Sequence, residues 1–402
     1  MPPAKFLKWL ILLIASLFYL FEFVARVEPS LASKGIAEYF NLSNGEFGTL
    51  ASLFFWVYAP MQLVVGLMLD RFGARRLVPP AILVCSIGVI IFGTATSPAM
   101  AGIGRMATGL GASFAFVGAL YAVNHWFRPE RFALLSGLVN AIGMLGTAVG
   151  AVMLTSTISA NGWQEVFVST GIAGTVLFVI ALIFIRDAPV AHTDDNQPIG
   201  FLAPLAAIIK DGRIWLIAII GMLYYMPVNV FGSLWGNAEL SADHSLNPFQ
   251  AETAVSSIFF GLAVGSVFSG WLSDHLGHRK WIIVIAAFLT AISFTLAIYI
   301  ASESVALLSV LLFISGFFGG GQMLAFSIAK ESHPAAYFGT IIAFTNMIGI
   351  GGALVFQPLV GEIVDYSDGQ FGLAMLTIPA SLLAAGLLAI LLKEFRHPDH
   401  IS

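Results

Sequence analysis

The sequence predicts an all-α membrane protein with twelve transmembrane helices, built as two related six-helix bundles. Apolar residues make up 58% of the 402 residues and charged residues only 10%, against roughly 45–50% and about 25% in soluble domains. Twelve apolar runs are close to the length needed to cross ~30 Å of hydrocarbon. Segments of the first half also recur in the second half at a nearly constant offset, which indicates an internal duplication.

The apolar runs define the predicted spans and the domain limits. They cover residues 8–30, 46–69, 78–97, 101–125, 132–157, 164–185, 213–237, 250–273, 280–300, 304–329, 338–362 and 370–392. Glu22 and Arg26 interrupt the first run, so we interpret it as a retained helix and not as a cleaved signal peptide. The polar stretch 186–200 divides the chain into an N-terminal bundle at 1–186, a linker at 187–212 and a C-terminal bundle at 213–402. A short interfacial helix is expected within 199–212.

The basic residues predict the orientation in the membrane. Fifteen of the 18 lysines and arginines fall at the termini or in the even-numbered loops, and only Lys34 falls in an odd-numbered loop. By the positive-inside rule both termini face the cytoplasm. We therefore expect a multi-pass protein of a bacterial cytoplasmic membrane.

The repeats lie in equivalent positions of the two halves. The segment Gly66-Leu-Met-Leu-Asp70-Arg-Phe-Gly73-Ala-Arg-Arg76 recurs 204 positions later as Gly270-Trp-Leu-Ser-Asp274-His-Leu-Gly277-His-Arg-Lys280. The segment Asn140-Ala-Ile-Gly143 recurs 206 positions later as Asn346-Met-Ile-Gly349. Parallel six-helix repeats usually enclose a binding site near the bilayer midplane.

Both copies of the longer repeat resemble the loop signature of the major facilitator superfamily, Gly-x-Leu-x-Asp-Arg-x-Gly-Arg-Arg. The resemblance covers essentially the whole chain and implies a secondary transporter in which these loops act as a conformational latch. The alternative is that the loops only fix the topology. The latch residues that the resemblance implies are Gly66, Asp70, Arg71, Gly73, Arg75, Gly270, Asp274, Gly277 and Arg279. A left-handed backbone is expected at Gly73 because a tight turn requires it.

A second, shorter resemblance lies in the first span. The stretch Glu22-Phe-Val-Ala-Arg26-Val-Glu28-Pro29-Ser30 is similar to the Glu-x-x-x-Arg-Val-x-Pro-Ser stretch of the phagosomal nutrient transporters of intracellular bacteria. That group resembles uptake systems for amino acids and nucleosides, and its relatives include siderophore transporters.

Three charged residues within the spans are candidates for transport chemistry. Glu22 and Arg26 are one helical turn apart, with Tyr19 on the same face, and Arg105 in span 4 resembles the buried arginine of the superfamily's fourth helix. Unpaired charges are costly in hydrocarbon and often mark a transport pathway. One carboxylate beside two guanidinium groups would form either a proton-coupling unit or a permanent ion-pair network that joins spans 1 and 4. Glu28, at the outer boundary, is expected to be solvated.

The second half is expected to contribute neutral polar groups and no buried charge. Tyr225 and Asn229 flank Pro227 in the middle of span 7, where the proline frees a carbonyl group. Gln322 in span 10 and Asn346 in span 11 add hydrogen-bonding groups at membrane depth. Each of these residues could bind solute or could hold two helices together.

Several other functions are disfavoured by the sequence. The net charge of −4 does not suggest a nucleic-acid partner, and the single cysteine, Cys85, cannot form an intrachain disulfide or a thiolate metal cluster. No phosphate-binding loop, zinc-protease motif or nucleophile elbow occurs, so we expect neither an enzyme nor a metal or other cofactor. The expected partners are membrane lipid, protons and a small-molecule substrate, and the expected state is a monomer.

These observations favour proton-coupled uptake of a small polar or zwitterionic solute of the amino acid or nucleoside type. A transporter or exporter of siderophores or organic anions is the alternative, supported by the two arginines. A membrane sensor that does not transport is the alternative from another class, although the cytoplasmic loops are short.

Overall fold

The computed structural model describes residues 4–127, 132–187, 202–332 and 338–392, and within these ranges all regular secondary structure is helical. Within the described ranges, twelve helical stretches are long and apolar enough to cross a membrane. They are Phe6–Leu31, Asn44–Leu69, Ala74–Gly93, Pro98–Trp126, Ile142–Asn161, Trp163–Phe184, Gly212–Asp243, Pro248–Ser273, Arg279–Tyr299, Val305–Ala329, Thr340–Tyr366 and Phe371–Ile390. The prediction of twelve spans in an all-helical chain is confirmed, and we number them spans 1 to 12.

The chain packs into two compact units, Met1–Leu42 with Thr49–Asp195, and Ser43–Gly48 with Asn196–Ser402. Spans 1 to 6 belong to the N-terminal unit, except for the first turn of span 2. Their helices and the one short helix among them are α1 (Ala4–Leu31), α2 (Ser33–Phe40), α3 (Asn44–Phe72), α4 (Ala74–Gly93), α5 (Pro98–Ala112), α6 (Phe114–Trp126), α7 (Phe132–Asn161) and α8 (Trp163–Phe184).

After the linker, the first described helix of the C-terminal unit is α9 (Leu202–Lys210), which corresponds to the short helix expected within 199–212. Spans 7 to 12 follow. Their helices are α10 (Gly212–Tyr224), the π-helical segment Pro227–Trp235, α11 (Gly236–Asp243), α12 (Pro248–Leu276), α13 (Arg279–Tyr299), α14 (Val305–Gly319), a 3-10 turn at Gly320–Met323, α15 (Leu324–Glu331), α16 (Phe338–Tyr366), α17 (Phe371–Met375) and α18 (Thr377–Ile390).

Glycines on α5 bring the helix of Arg105 close to its neighbours. A Cβ atom added at Gly104 would lie 2.8 Å from the Gly88 carbonyl oxygen of α4, and one at Gly109 would collide with the Phe54 carbonyl oxygen of α3. Side chains at these positions would force the helices apart. The glycines near Arg105 therefore allow α3, α4 and α5 to approach at backbone distance.

Span 7 changes its helical geometry at Pro227, as expected for a proline inside a transmembrane helix. The α-helix ends at Tyr224, and π-helical turns continue from Pro227 to Trp235 before the α-helix resumes. Proline lacks the amide hydrogen that the regular ladder needs, so the ladder must reorganise there. The result is a wide, irregular stretch of backbone in the middle of the span.

Candidate functional site

Glu22 and Arg26 form an ion pair inside span 1. Their side chains are buried, with 0% and 6% of their surface exposed. Arg26 donates from Nε to Glu22 Oε1 at 2.8 Å, and its Nη2 atom donates to the same oxygen. The other oxygen, Oε2, receives no hydrogen bond from any described residue. The pair therefore leaves one carboxylate oxygen open to a proton or to another donor.

Four aromatic rings surround the Arg26 guanidinium group. Its central carbon lies 4.5 Å from the ring centre of Phe23, 4.9 Å from Tyr58, 5.6 Å from Phe54 and 5.9 Å from Phe55. The negative faces of aromatic rings attract a guanidinium group most strongly where water is excluded. The rings thus hold the positive charge of Arg26 in place beside Glu22.

Arg105 binds main-chain carbonyl groups and does not pair with Glu22. Its guanidinium group donates to the carbonyl oxygens of Ala25 at 3.0 Å, Arg26 at 3.4 Å and Ala51 at 3.1 Å. The Ala25 carbonyl would normally receive a bond from residue 29, but Pro29 has no amide hydrogen. Arg105 supplies this missing donor and joins α1 to α3. The expectation of one carboxylate shared by two guanidinium groups is therefore wrong for Glu22.

Glu28 is buried, and the expectation that it is solvated is wrong. Only 1% of its surface is exposed, and Arg105 and the Thr170 hydroxyl lie near its carboxyl group. The N-terminal unit therefore buries two carboxyl groups and two guanidinium groups around α1. Their formal charges balance when both carboxyl groups are ionised.

Tyr19 packs beside this charged cluster. Its ring meets the ring of Phe23 edge to face at a centroid distance of 5.0 Å, and the ring of Phe116 lies 5.1 Å away. A Cβ atom added at Gly143 would collide with the Tyr19 ring, so the glycine of the repeated Asn-x-Ile-Gly segment gives this tyrosine its place.

In the C-terminal unit, Asn229 connects span 7 with span 11. Its side-chain amide nitrogen donates to the carbonyl oxygen of Gly349 at 3.1 Å. In both halves, therefore, the glycine of the Asn-x-Ile-Gly segment lies against a residue from the first helix of that half. The Asn229 carbonyl oxygen accepts a bond from Gln357 Nε2 at 2.9 Å. The indole nitrogen of Trp235 in turn donates to the Gln357 carbonyl oxygen at 3.0 Å. Gln357, which sequence reasoning missed, completes the irregular hydrogen bonding of span 7.

The other three neutral candidates lie in spans 7, 10 and 11. Gln322 is buried in the 3-10 turn of span 10, where its amide nitrogen would lie 3.8 Å from a Cβ atom added at Gly221. Tyr225 and Asn346 are half-buried in spans 7 and 11. The neighbouring Tyr224 hydroxyl donates to the Phe318 carbonyl oxygen at 2.7 Å and joins span 7 to span 10.

The C-terminal unit buries charged groups that sequence reasoning excluded. Glu239 and Glu252 have 0% and 3% of their surface exposed, and His244 has 4%. Span 7 was expected to end at residue 237, but it extends to Asp243 and includes Glu239. Glu252 was recognisable, because it lies inside the span predicted at 250–273. It accepts hydrogen bonds from Asn237 at 2.6 Å and from Ser256 at 2.9 Å.

His244 follows the C-terminal end of span 7 and joins it to the C-terminal end of span 9 and to the connection between spans 9 and 10. Its Nδ1 atom lies 2.9 Å from the Ser302 carbonyl oxygen, and its Nε2 atom lies 3.1 Å from that of Ile298 and 3.4 Å from Glu239 Oε1. Carbonyl oxygens only accept hydrogen bonds, so both ring nitrogens must carry hydrogen. The nearby Glu239 carboxyl group raises the pKa of His244 to about 9.

The two signature loops turn at glycines with positive φ. The φ angle is 79° at Gly73, as predicted, and 65° at Gly277. Asp187 accepts a hydrogen bond from the Arg75 amide at 3.0 Å, so its carboxylate caps the start of α4. In the second copy Arg279 forms an ion pair with Glu331 at 2.7 Å.

Within the part of the chain that it describes, the structure gives no contacts for the remaining latch candidates that would support a role in a latch. Arg71 is exposed, and added Cβ atoms at Gly66 and Gly270 would meet open space. The side chains of Asp70 and Asp274 lie outside the described residues.

Residues 11–236 and 217–401 match the family described as Major Facilitator Superfamily. Together with the twelve spans, this match shows that the chain belongs to the major facilitator superfamily and is a multi-pass secondary transporter. It is 24% identical over 287 residues to the "Probable sulfoacetate transporter SauU" of Cupriavidus necator, covering 68% of this chain and 66% of that protein. It is 25% identical over 397 residues to the "Probable L-galactonate transporter" of Escherichia coli, covering 92% and 85%. The fold is similar to that of the nucleoside transporter NupG, with a TM-score of 0.77, 14% identity and coverage of 96% and 99%.

Proposed function

We propose that this chain imports a small organic anion together with protons across a bacterial cytoplasmic membrane, with both of its termini in the cytoplasm. The observation that carries the proposal is the buried Glu22–Arg26 pair, in which the Glu22 carboxylate binds the guanidinium group through one of its two oxygens. An anionic solute and the Glu22 carboxylate would compete for the same positive charge. The proposal includes the domain limits predicted from the sequence, with an N-terminal bundle at 1–186, a linker at 187–212 and a C-terminal bundle at 213–402.

The competition supplies a coupling mechanism. When a proton binds Glu22, the neutral acid no longer balances Arg26, and the guanidinium group becomes available to an anion. When the proton leaves, the carboxylate recovers Arg26 and displaces the anion. Proton and anion are therefore bound together and released together, which is the condition for symport.

The class of solute follows from the charges and is supported by the relatives. Sulfoacetate and galactonate are both anions at neutral pH, and both relatives named above carry such a solute in their names. Two buried arginines suit an anion better than a neutral nucleoside, because the charge of an uncompensated guanidinium group is costly in hydrocarbon. We therefore favour the organic anion over the amino acid or nucleoside expected first from the sequence.

Uptake into sealed proteoliposomes tests the proposal directly. The purified protein is reconstituted and given an acidic exterior, and accumulation of sulfoacetate, galactonate, a neutral hexose, an amino acid and a nucleoside is measured. We expect at least one of the anions to accumulate, and dissipation of the pH gradient to abolish the accumulation. Liposomes without protein and liposomes without a gradient are the controls.

The outcomes distinguish the alternatives. Accumulation of the amino acid or nucleoside alone would refute the assignment of an anionic solute. Accumulation that does not depend on the pH gradient would refute proton coupling. Export from preloaded vesicles in preference to uptake would indicate an exporter. If no solute is exchanged even in counterflow, siderophores must be tested next, and failure there would support the non-transporting sensor.

A further inference from the structure

Spans 11 and 12 form an open groove beside the loop that connects them. The groove has a volume of about 470 Å³, roughly that of fifteen water molecules in the liquid, so it admits a flexible chain as well as a small ion. Tyr366, Leu373 and Leu376 stay exposed there, so the described part of the chain leaves the groove uncovered. Apolar side chains form most of its walls, and the one carboxyl group among the lining residues is that of Glu362. The walls include Glu362 and Tyr366 of α16 and Leu373, Leu376, Thr377 and Ala380 of span 12.

The groove lies at the depth where lipid headgroups meet the hydrocarbon of a membrane. Span 11 has 27 residues, so it is about 40 Å long, and a hydrocarbon core of about 30 Å leaves about 5 Å of the helix among the headgroups at each end. Glu362 lies about 6 Å before the last residue of the span, Tyr366, and therefore at this boundary. Ala380 lies about 13 Å into span 12, counted from Phe371, and therefore within the hydrocarbon. The groove is thus charged at the boundary and apolar below it, the same order as in a phospholipid.

The Glu362 carboxylate is fixed in place but has no counter-ion among the described residues. A Cβ atom added at Gly45 would collide with this carboxyl group, so the start of α3, which packs within the C-terminal unit, lies directly against it. Asp365, one turn further along α16, already accepts hydrogen bonds from two main-chain amides at the start of α3, at 3.0 and 2.7 Å. No lysine, arginine or histidine occurs between residues 334 and 392. Spans 11 and 12 therefore present a negative charge at the groove and no basic side chain to balance it.

We infer that this groove binds a phospholipid with a primary-amine headgroup, such as phosphatidylethanolamine, whose ammonium group donates a hydrogen bond to the Glu362 carboxylate while one acyl chain lies against Leu376 and Ala380. The ammonium group supplies both the missing donor and the missing positive charge. A choline headgroup carries the charge but no N–H group, and an anionic headgroup is repelled. Because lipid tails are as apolar as leucine, the acyl chain alone gives little preference over the surrounding bilayer, and selectivity comes from the headgroup. The inference does not depend on the solute or on proton coupling.

Lipid binding to the purified, delipidated protein in detergent tests the inference. Dissociation constants are measured for phosphatidylethanolamine, phosphatidylcholine and phosphatidylglycerol with identical acyl chains. We expect the wild type to bind the ethanolamine lipid at least about tenfold more tightly than the choline lipid, because only the former makes a charge-assisted hydrogen bond, and to bind the anionic lipid most weakly. Glu362→Gln should lose this preference and bind the ethanolamine and choline lipids equally. Glu303→Gln, which changes an exposed glutamate between spans 9 and 10 of the same unit, is the matched control and should keep the preference.

A second variant tests the position of the acyl chain. Ala380→Phe places a ring in the groove and leaves the carboxylate intact, so it should weaken binding of the ethanolamine lipid. Both Glu362 and Ala380 are exposed, and thermal unfolding without lipid checks that each variant is folded. Equal binding of the ethanolamine and choline lipids by the wild type, or an unchanged preference in Glu362→Gln, would overturn the inference. Wild-type affinity in Ala380→Phe would show that the lipid lies elsewhere and would overturn it as well.

Discussion

At the scale of single residues, Glu22 and Arg26 form a buried ion pair on α1, and four aromatic rings surround the Arg26 guanidinium group. The spacing of one helical turn was sufficient to predict the pair, since residues four apart on a helix face the same way. The aromatic rings around Arg26 could not be predicted, because three of them, Phe54, Phe55 and Tyr58, come from another helix. The sequence also contains nothing that indicates whether a guanidinium group binds a carboxylate or a carbonyl group, and so the contacts of Arg105 were missed.

The first prediction concerns Glu22. Glu22→Gln should abolish proton-driven accumulation of the solute but permit its counterflow across proteoliposomes. The neutral amide keeps the Arg26 guanidinium group available to the anion, but it cannot bind and release a proton. The uptake of the variant should also lose its dependence on external pH. The matched control is Glu38→Gln, which changes an exposed glutamate and should behave as wild type. Wild-type accumulation and an unchanged pH profile in Glu22→Gln would make the pair a permanent structural link.

At the scale of the secondary-structure elements, prolines and glycines predicted the local geometry well. Pro227 indicated the irregular segment of span 7, and Gly73 indicated a left-handed turn. The partners that repair an irregular helix were not predictable, because they come from distant parts of the chain. In span 7, Gln357 donates a hydrogen bond to the Asn229 carbonyl oxygen. In span 1, Arg105 donates to the Ala25 carbonyl oxygen, which Pro29 leaves without its usual amide donor.

The second prediction tests this repair of α1. Arg105→Met should destabilise the protein by about 1–3 kcal/mol, because the buried Ala25 carbonyl loses its donor. In a Pro29→Ala background, residue 29 regains an amide hydrogen for that carbonyl, so most of the cost should disappear. Thermal unfolding of the two single variants and the double variant measures the coupling. A Pro60→Ala background, which changes a proline within α3, is the control and should give no rescue. Equal costs of Arg105→Met in all three backgrounds would show that Arg105 does not replace the donor.

The third prediction concerns the stability of span 7 at high pH. Because the pKa of His244 is raised to about 9, its contribution to stability is complete below its unfolded value of about 6.5 and is lost as the pH rises through about 9. The unfolding temperature of the wild type should therefore fall more steeply between about pH 7 and about pH 10 than that of His244→Gln. His275→Gln removes an exposed histidine of the same unit and should follow the wild type. Parallel curves for His244→Gln and wild type would show that His244 does not titrate in this range.

At the scale of the whole molecule, the number of spans and the helical class followed directly from hydropathy, because the bilayer fixes the length of an apolar helix. The duplicated segments were equally informative. Gly143 and Gly349 each contact a residue from the first helix of their own half, Tyr19 and Asn229 respectively. Hydropathy failed at the end of span 7, where Glu239 and Asp243 lower the mean value although the helix continues to residue 243.

The fourth prediction concerns the latch that we propose for the signature loops. Asp70→Asn should slow transport by at least about tenfold while the protein stays in the membrane, since a charge-assisted hydrogen bond is worth about 1.5–3 kcal/mol. Asp274→Asn should have a smaller effect, because histidines replace basic residues of the signature in the second loop. Transport rates and the amount of protein in the membrane are measured together. Wild-type rates in Asp70→Asn would leave the loops with a topological role only.

The fifth prediction tests the proposed orientation through the two ends of span 7. Arg213 and Ala242 are exposed at opposite ends of this span, and the single native cysteine, Cys85, is completely buried. In intact cells a membrane-impermeant thiol reagent should therefore label Ala242→Cys and leave Arg213→Cys unlabelled. Opening the cells should make Arg213→Cys reactive, and the wild type should stay unlabelled throughout as the control. Fifteen of the 18 basic residues lie on the side predicted to be cytoplasmic, so reversing the orientation would place nearly all of them outside, against the positive-inside rule. Labelling of Arg213→Cys but not Ala242→Cys in intact cells would show that the orientation is reversed, and equal labelling of both would contradict span 7 as a membrane crossing.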